Sequence, residues 1–245
     1  MALTNGPNLG LLVNGNAGEG HYSELMKQWR GLDGLVMPNA KGYRTNTPPG
    51  SPADGDLYII GAAPTGAWAG QGGKITRYST VAAAWEFYTP KNGWMVQSNS
   101  AREVYRYTGG AWEIFYQEGT WTPSWVGQTV AGSFTYTEQS GSYLCIGGLV
   151  SVQYRIVIAS TTTQPTGELR IAGLPFTVGS VHGAGIVNSN NCLNLAESRY
   201  IQVPMPLSST QVMRIWQLGS ANNYLADGSQ LSSCGTFSGT ATYMK

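Results

Sequence analysis

Short runs in which apolar and polar positions alternate, each closed by glycine, proline or asparagine, recur along most of the chain and predict strands. Gly55-Asp56-Leu57-Tyr58-Ile59-Ile60-Gly61 reads as a buried strand between glycines, and Gly73-Lys74-Ile75-Thr76-Arg77-Tyr78 as a half-buried one. Two runs echo each other: Arg77-Tyr78 is followed by Ala84-Trp85-Glu86-Phe87-Tyr88, and Arg106-Tyr107 by Ala111-Trp112-Glu113-Ile114-Phe115-Tyr116. Thr108-Gly109-Gly110 turns the second copy, because consecutive glycines accept the positive φ angles of a tight hairpin. The pattern predicts two hairpins in one small antiparallel sheet over residues 55–118.

Beyond Gly119-Thr120-Trp121-Thr122-Pro123 tryptophan thins out and longer strands with Thr-rich turns take over. Val150, Val152, Tyr154, Ile156 and Ile158 face one way in a strand over 149–158, with Ser151, Gln153 and Arg155 on the other side. Residues 142–146 are expected to pair with it across Gly147-Gly148. Further strands are expected at 169–172, 181–187, 200–203, 212–218 and 235–244, the last placing Phe237, Ala241 and Tyr243 on one face. Strands separated by turns, with no helices between them, predict an antiparallel β-sandwich or jelly-roll-like domain over 119–245.

One segment departs from the two-residue period. Tyr22, Leu25, Trp29, Leu32 and Val36 are spaced 3, 4, 3, 4, the seam of a coiled coil, and Pro38 ends a helix expected over 21–36. Gly31 and Gly34 each cost such a helix about 1 kcal/mol relative to Ala, so partners must hold it: either the small domain of its own subunit or two further copies in a three-helix contact. Residues 1–20 are rich in Asn and Gly and read as a disordered tail or as an extended arm that orders on docking, with Leu3, Leu9, Leu11 and Leu12 as its contacts. Pro48, Pro49 and Pro52 mark 39–54 as a semi-rigid connector. The fold class is therefore mainly β: arm (1–20), short helix (21–38), linker (39–54), small β domain (55–118) and C-terminal sandwich (119–245).

Composition narrows the function. Only 11% of residues are charged, less than half of the roughly 25% usual in soluble chains, so neutral polar groups and subunit contacts must make up much of the surface. A net charge of +1 gives no electrostatic footprint for nucleic acid, which is excluded as a partner. No run approaches the roughly 20 apolar residues of a membrane span, and no secretory leader opens the chain, so a soluble protein without membrane insertion is expected. Cys145, Cys192 and Cys234 lack the spacing of a zinc site and read as buried thiols.

Catalytic chemistry finds little to stand on. His21 and His182 are the two histidines, Gly-x-Ser-x-Gly is absent, and no phosphate loop or dinucleotide fingerprint occurs, so neither an enzyme nor a cofactor is expected. A glycan-cleaving pair needs carboxylates about 5 to 9.5 Å apart, whereas Glu138, Glu168, Glu197 and Asp227 are scattered in sequence. Glycan binding without cleavage fits better, with aromatic faces and Asn, Asp and Arg groups as contacts. The candidates are the 188–194 loop, Arg199, Tyr200, Trp216, Asn222, Asn223, Tyr224 and Asp227. The alternative is that Trp216 is core and the Asn-rich segments are turns.

Two stretches resemble known families. Pro48-Pro49, Gly55-Asp56-Leu57-Tyr58-Ile59-Ile60-Gly61, Thr65-Gly66-Ala67-Trp68-Ala69-Gly70, Pro90, Gly93-Trp94 and Gly109-Gly110-Ala111-Trp112 are similar to the small domain of unknown function found in phage fibre proteins and in head-spike fibres of gene transfer agents. Gly119-Thr120-Trp121-Thr122-Pro123, Gly141-Ser142-Tyr143, Ile146-Gly147 and Arg170-Ile171-Ala172-Gly173-Leu174-Pro175-Phe176 resemble the C-terminal module that ends many tail fibres and spikes. The resemblance implies a virion appendage, assembled in the host cytoplasm as a homotrimeric fibre, anchored to capsid or tail proteins by its N-terminal arm and touching host-surface polysaccharide with its tip. The short length favours a head fibre or a small tail fibre over a long host-reading fibre, and the likeness to head-spike fibres points toward the head. A purely structural, capsid-decorating fibre without a ligand is the alternative.

Overall fold

The computed structural model describes residues 4–5, 12–14, 21–99, 101–181, 183–194, 199–219, 223–232 and 235–245. The chain divides into two units, Met1–Phe115 and Tyr116–Lys245, and both are mainly β, as the alternation predicts.

In the first unit β1 (Thr4–Asn5) pairs with β2 (Leu12–Asn14), and α1 spans His21–Leu35. There follow β3 (Asn39–Ala40), β4 (Gly42–Thr45), β5 (Leu57–Ile60), β6 (Ile75–Ser79), β7 (Ala84–Tyr88), β8 (Met95–Ser98), β9 (Glu103–Thr108) and the first half of β10 (Ala111–Trp121). One sheet runs β4-β5-β6-β7, while β3, β8, β9 and β10 are consecutive neighbours in another.

Here the sequence reading needs two corrections. The echoing hairpins do not share one sheet: β6-β7 belongs to the first and β9-β10 to the second. The chain turns away after Pro90 and adds β8, which pairs with β9 in the register Met95↔Arg106. The connector is not unpacked throughout, since β3 runs parallel to β8 and β4 parallel to β5. Ala40 is fully buried, and the Tyr43 ring stacks on Tyr105 at 4.1 Å. Strands of two and four residues are too short for periodicity to reveal.

The core of this unit gathers Ala40, Leu57, Ile59, Ile75, Val96, Tyr105 and Trp112. Trp68, also fully buried, packs against Tyr58 at 5.4 Å and Trp85 at 5.0 Å; such aromatic pairs add about 0.5–1.5 kcal/mol each beyond area burial. Gly109 and Gly110 hold φ of 57° and 86°, the conformation expected for the turn between β9 and β10.

The second unit continues β10 and adds β11 (Ser124–Gly127), β12 (Ser133–Ile146), β13 (Leu149–Thr163), β14 (Leu169–Ala172), β15 (Ala184–Asn190), β16 (Arg199–Pro206), β17 (Val212–Gly219), β18 (Asn223–Leu225) and β19 (Gly235–Met244). One layer is ordered β15-β19-β13-β12 and then the end of β10; the other is β11-β14-β17-β16 with β18 beside β17. All pairings within this unit are antiparallel. The predicted alternation is borne out: Val150, Val152, Tyr154, Ile156, Ile158, Phe237, Ala241 and Tyr243 line one side of the core, and Trp125, Leu169, Ile171, Met213 and Ile215 the other. β16 carries Pro204 and Pro206, which an edge strand tolerates because one row of its backbone groups needs no partner.

Candidate functional site

Three surfaces bear on function. The first is α1. Arg30 Nε donates to Glu86 Oε1 at 3.0 Å, and Arg77 Nη2 to Asp33 Oδ2 at 3.3 Å. Gly31 and Gly34 are buried, and a Cβ on Gly34 would stand 2.7 Å from Arg77 Cδ. Glycine therefore lets the helix backbone close on β6 and β7, which explains two residues that weaken the helix itself. At 3.6 residues per turn the heptad stripe points the other way: Trp29 is 63% and Val36 60% exposed, with Leu25 and Leu32 beside them. The side chain of Tyr22 lies outside the described residues. Both anticipated roles thus fall on one helix, whose glycine face packs on its own unit and whose apolar face is open.

The second surface is the set of expected glycan contacts, which the structure does not bring together. Trp216 stands opposite Val203 and Leu225, whereas Tyr224 stands opposite Gln217, so the two rings project from opposite faces of the β16-β17-β18 layer. Trp216 is half-buried, with a buried indole N–H that has no partner among the described residues. Asp227 is a cap: its carboxylate accepts from Ser229 N at 2.9 Å, and Gln230 Oε1 accepts from Asp227 N in return, closing a capping box on the 3-10 turn Gly228–Gln230. The Ser229 hydroxyl and N–H hold this carboxyl below the usual range. Asn190 Oδ1 accepts from Cys192 N and Leu193 N, and Asn191 Oδ1 from Thr236 N. The 188–194 segment is thereby the end of β15 followed by a structured turn. The side chains of Arg199, Tyr200 and Asn223 lie outside the described residues, as do Asn222, His182 and Cys234.

Of the third surface, sequence singled out Asn188 alone, as part of the 188–194 segment. On the outer face of β12-β13-β19-β15, cross-strand registers align Ser142 with Gln153, Gln153 with Thr240, and Ser140 with Arg155. A trough of about 410 Å³ opens over these positions, with Asn188 at its side. Toward one end the same face carries Leu144, Ile146, Leu149 and Met244, all exposed. The trough residues come from four strands, so no local motif announces them.

The expected arm contacts Leu3, Leu9 and Leu11 lie outside the described residues; Leu12 begins β2, its side chain undescribed. Among the described residues no group of three or more His, Cys, Asp or Glu is placed to hold a metal. Cys145 and Cys192 are buried free thiols. Among the described residues no helix is long and apolar enough to cross a membrane.

A family described as a protein of unknown function, DUF2793, matches residues 28–113, the segment running from α1 to the start of β10. No curated protein matches the chain. Among solved structures the chain is similar to the Dettilon tailspike protein, gp208, at 20% identity and a TM-score of 0.44. The similarity covers 53% of this chain and 24% of that one, so the chain spans about a quarter of the tailspike's length.

Proposed function

We propose that this chain is the subunit of a phage virion appendage, assembled as a homotrimer, fixed to capsid or tail proteins through its N-terminal arm, and contacting host-surface glycans with its second unit. The resemblance of residues 45–116 to fibre domains supports this reading, and the observation that carries it is the open apolar face of α1. An amphipathic helix of 15 residues is marginal alone, and this one spends its packing contacts on the glycine side while leaving a tryptophan and three aliphatic side chains in solvent. Heptad spacing of that exposed stripe is suited to like helices from other copies. With few charges overall, identical copies approach one another without repulsion between like groups.

Light scattering on the purified chain tests the assembly: the expected mass is three times the 26.2 kDa of one chain. A single-chain mass at every concentration used would refute it.

A further inference from the structure

On the attachment reading above, the tip must hold a glycan somewhere, and of the positions that sequence pattern nominated only Asn188 lies at a described concave surface. That surface is the outer trough of the second unit. Gly141, Tyr154 and Gly239 line it together with the polar side chains of Ser140, Ser142, Gln153, Arg155, Asn188 and Thr240. The polar positions alternate with core residues along β12, β13 and β19, so the sandwich core holds them rigidly from beneath. The volume of about 410 Å³ falls in the lower part of the roughly 300–1,000 Å³ range of small-ligand sites and admits about one or two sugar rings.

Charge selects the ligand class. Arg155 Nε donates to Glu138 Oε2 at 2.9 Å, and the Ser140 hydroxyl donates to Glu138 Oε1 at 2.8 Å. The cation at the trough is thus neutralised by a carboxylate on the same face, which leaves no unmatched charge for a phosphate, sulfate or sialic acid. What the trough does offer is hydroxyl and amide groups that both donate and accept, the complement of a ring bearing several hydroxyls. Ile186, opposite Thr240 on the edge strand and 67% exposed, adds an apolar rim for the C–H face of such a ring. Tyr154, the aromatic residue among those lining the trough, is 4% exposed and packs in the core, which leaves no ring face for a nucleobase to stack on. We infer that this trough binds a neutral hexose unit of a surface polysaccharide. Each copy of the chain carries one such site, so weak single contacts add up through avidity.

The test uses the full chain on immobilised neutral oligosaccharides containing glucose, galactose, mannose or N-acetylglucosamine, with sialylated and phosphorylated oligosaccharides alongside. Thr240→Lys fills the trough and Gln153→Ala removes a hydrogen-bonding wall; both positions face outward, and circular dichroism checks the fold. Wild type is expected to bind a neutral oligosaccharide, each trough variant to weaken it at least about tenfold, the equivalent of one lost hydrogen bond, and Tyr224→Ala to bind as wild type. Trough variants that bind like wild type while Tyr224→Ala loses binding would overturn the trough and leave the attachment reading standing. A preference for the acidic oligosaccharides would overturn the neutral class. A change of oligomeric mass in Thr240→Lys would make the trough a contact between copies and overturn the proposal. No binding by wild type to any of the oligosaccharides would overturn the attachment reading itself.

Discussion

Glu86→Gln tests how α1 is held. Among the described residues of this unit Glu86 is the acid that faces two guanidinium groups from a sheltered position: its side chain is 11% exposed, and it lies 3.0 Å from Arg30 and 3.9 Å from Arg77, itself 7% exposed. The Tyr88 hydroxyl donates to it as well, at 3.1 Å. Removing one partner of a buried pair costs about 3–5 kcal/mol, because the other charge stays desolvated. The lower end, about 3 kcal/mol, is expected here, since Asp33 and Asp54 still face Arg77 at 3.3 and 4.0 Å from positions open to solvent. Glu113→Gln is the control. Arg106 and Glu113 meet at a shorter 2.6 Å, yet their side chains are 37% and 45% exposed, so water screens the pair and about 1 kcal/mol or less should be lost. Urea unfolding followed peptide by peptide by hydrogen–deuterium exchange reads the first unit separately. A cost for Glu113→Gln equal to or above that of Glu86→Gln would refute the argument that burial, rather than distance, sets the strength of these pairs.

Further expectations follow from the same geometry. Trp29→Glu combined with Leu32→Glu should convert the proposed trimer to single chains with unchanged far-ultraviolet circular dichroism, read by light scattering; loss of the fold would place the stripe in the core instead. Burial pushes the Tyr105 and Tyr243 hydroxyls up to about 12. A raised folded value favours the neutral phenol, so the stability it contributes is complete below about pH 10 and is lost as pH rises toward 12; an unfolding midpoint flat across that window would contradict it. Asp227→Ala should cost about 1 kcal/mol through the lost cap and leave glycan binding unchanged, which binding on the oligosaccharide surface checks.

Much of this architecture was legible because single residues carried two kinds of signal at once. Val150, Val152, Tyr154, Ile156 and Ile158 stand at alternate positions, and the structure buries all five; Gly109-Gly110 combined a turn with the echo of a tryptophan strand. The heptad stripe of α1 was readable for the same reason, although the role of Gly34 was not, since its close approach to Arg77 depends on a residue more than forty positions away. Pairing between sheets was the hardest feature to read. Two hairpins with the same local pattern give no indication that they join different layers, and the parallel pairings of β3 and β4 are too short to leave a period. Asp227 had the composition of a ligand contact, but an Asp three residues before Gln230 is also a capping box. The trough was invisible because small outward polar residues in a strand read as a solvated face until register places Ser142, Gln153 and Thr240 in one row.

The central claim is that this chain belongs to an appendage on a phage particle, and electron microscopy of purified particles labelled with an antibody against the second unit tests it most directly. Label at projections from the capsid or the tail is expected. Purified particles without label, from lysates in which the chain is abundant, would contradict the account.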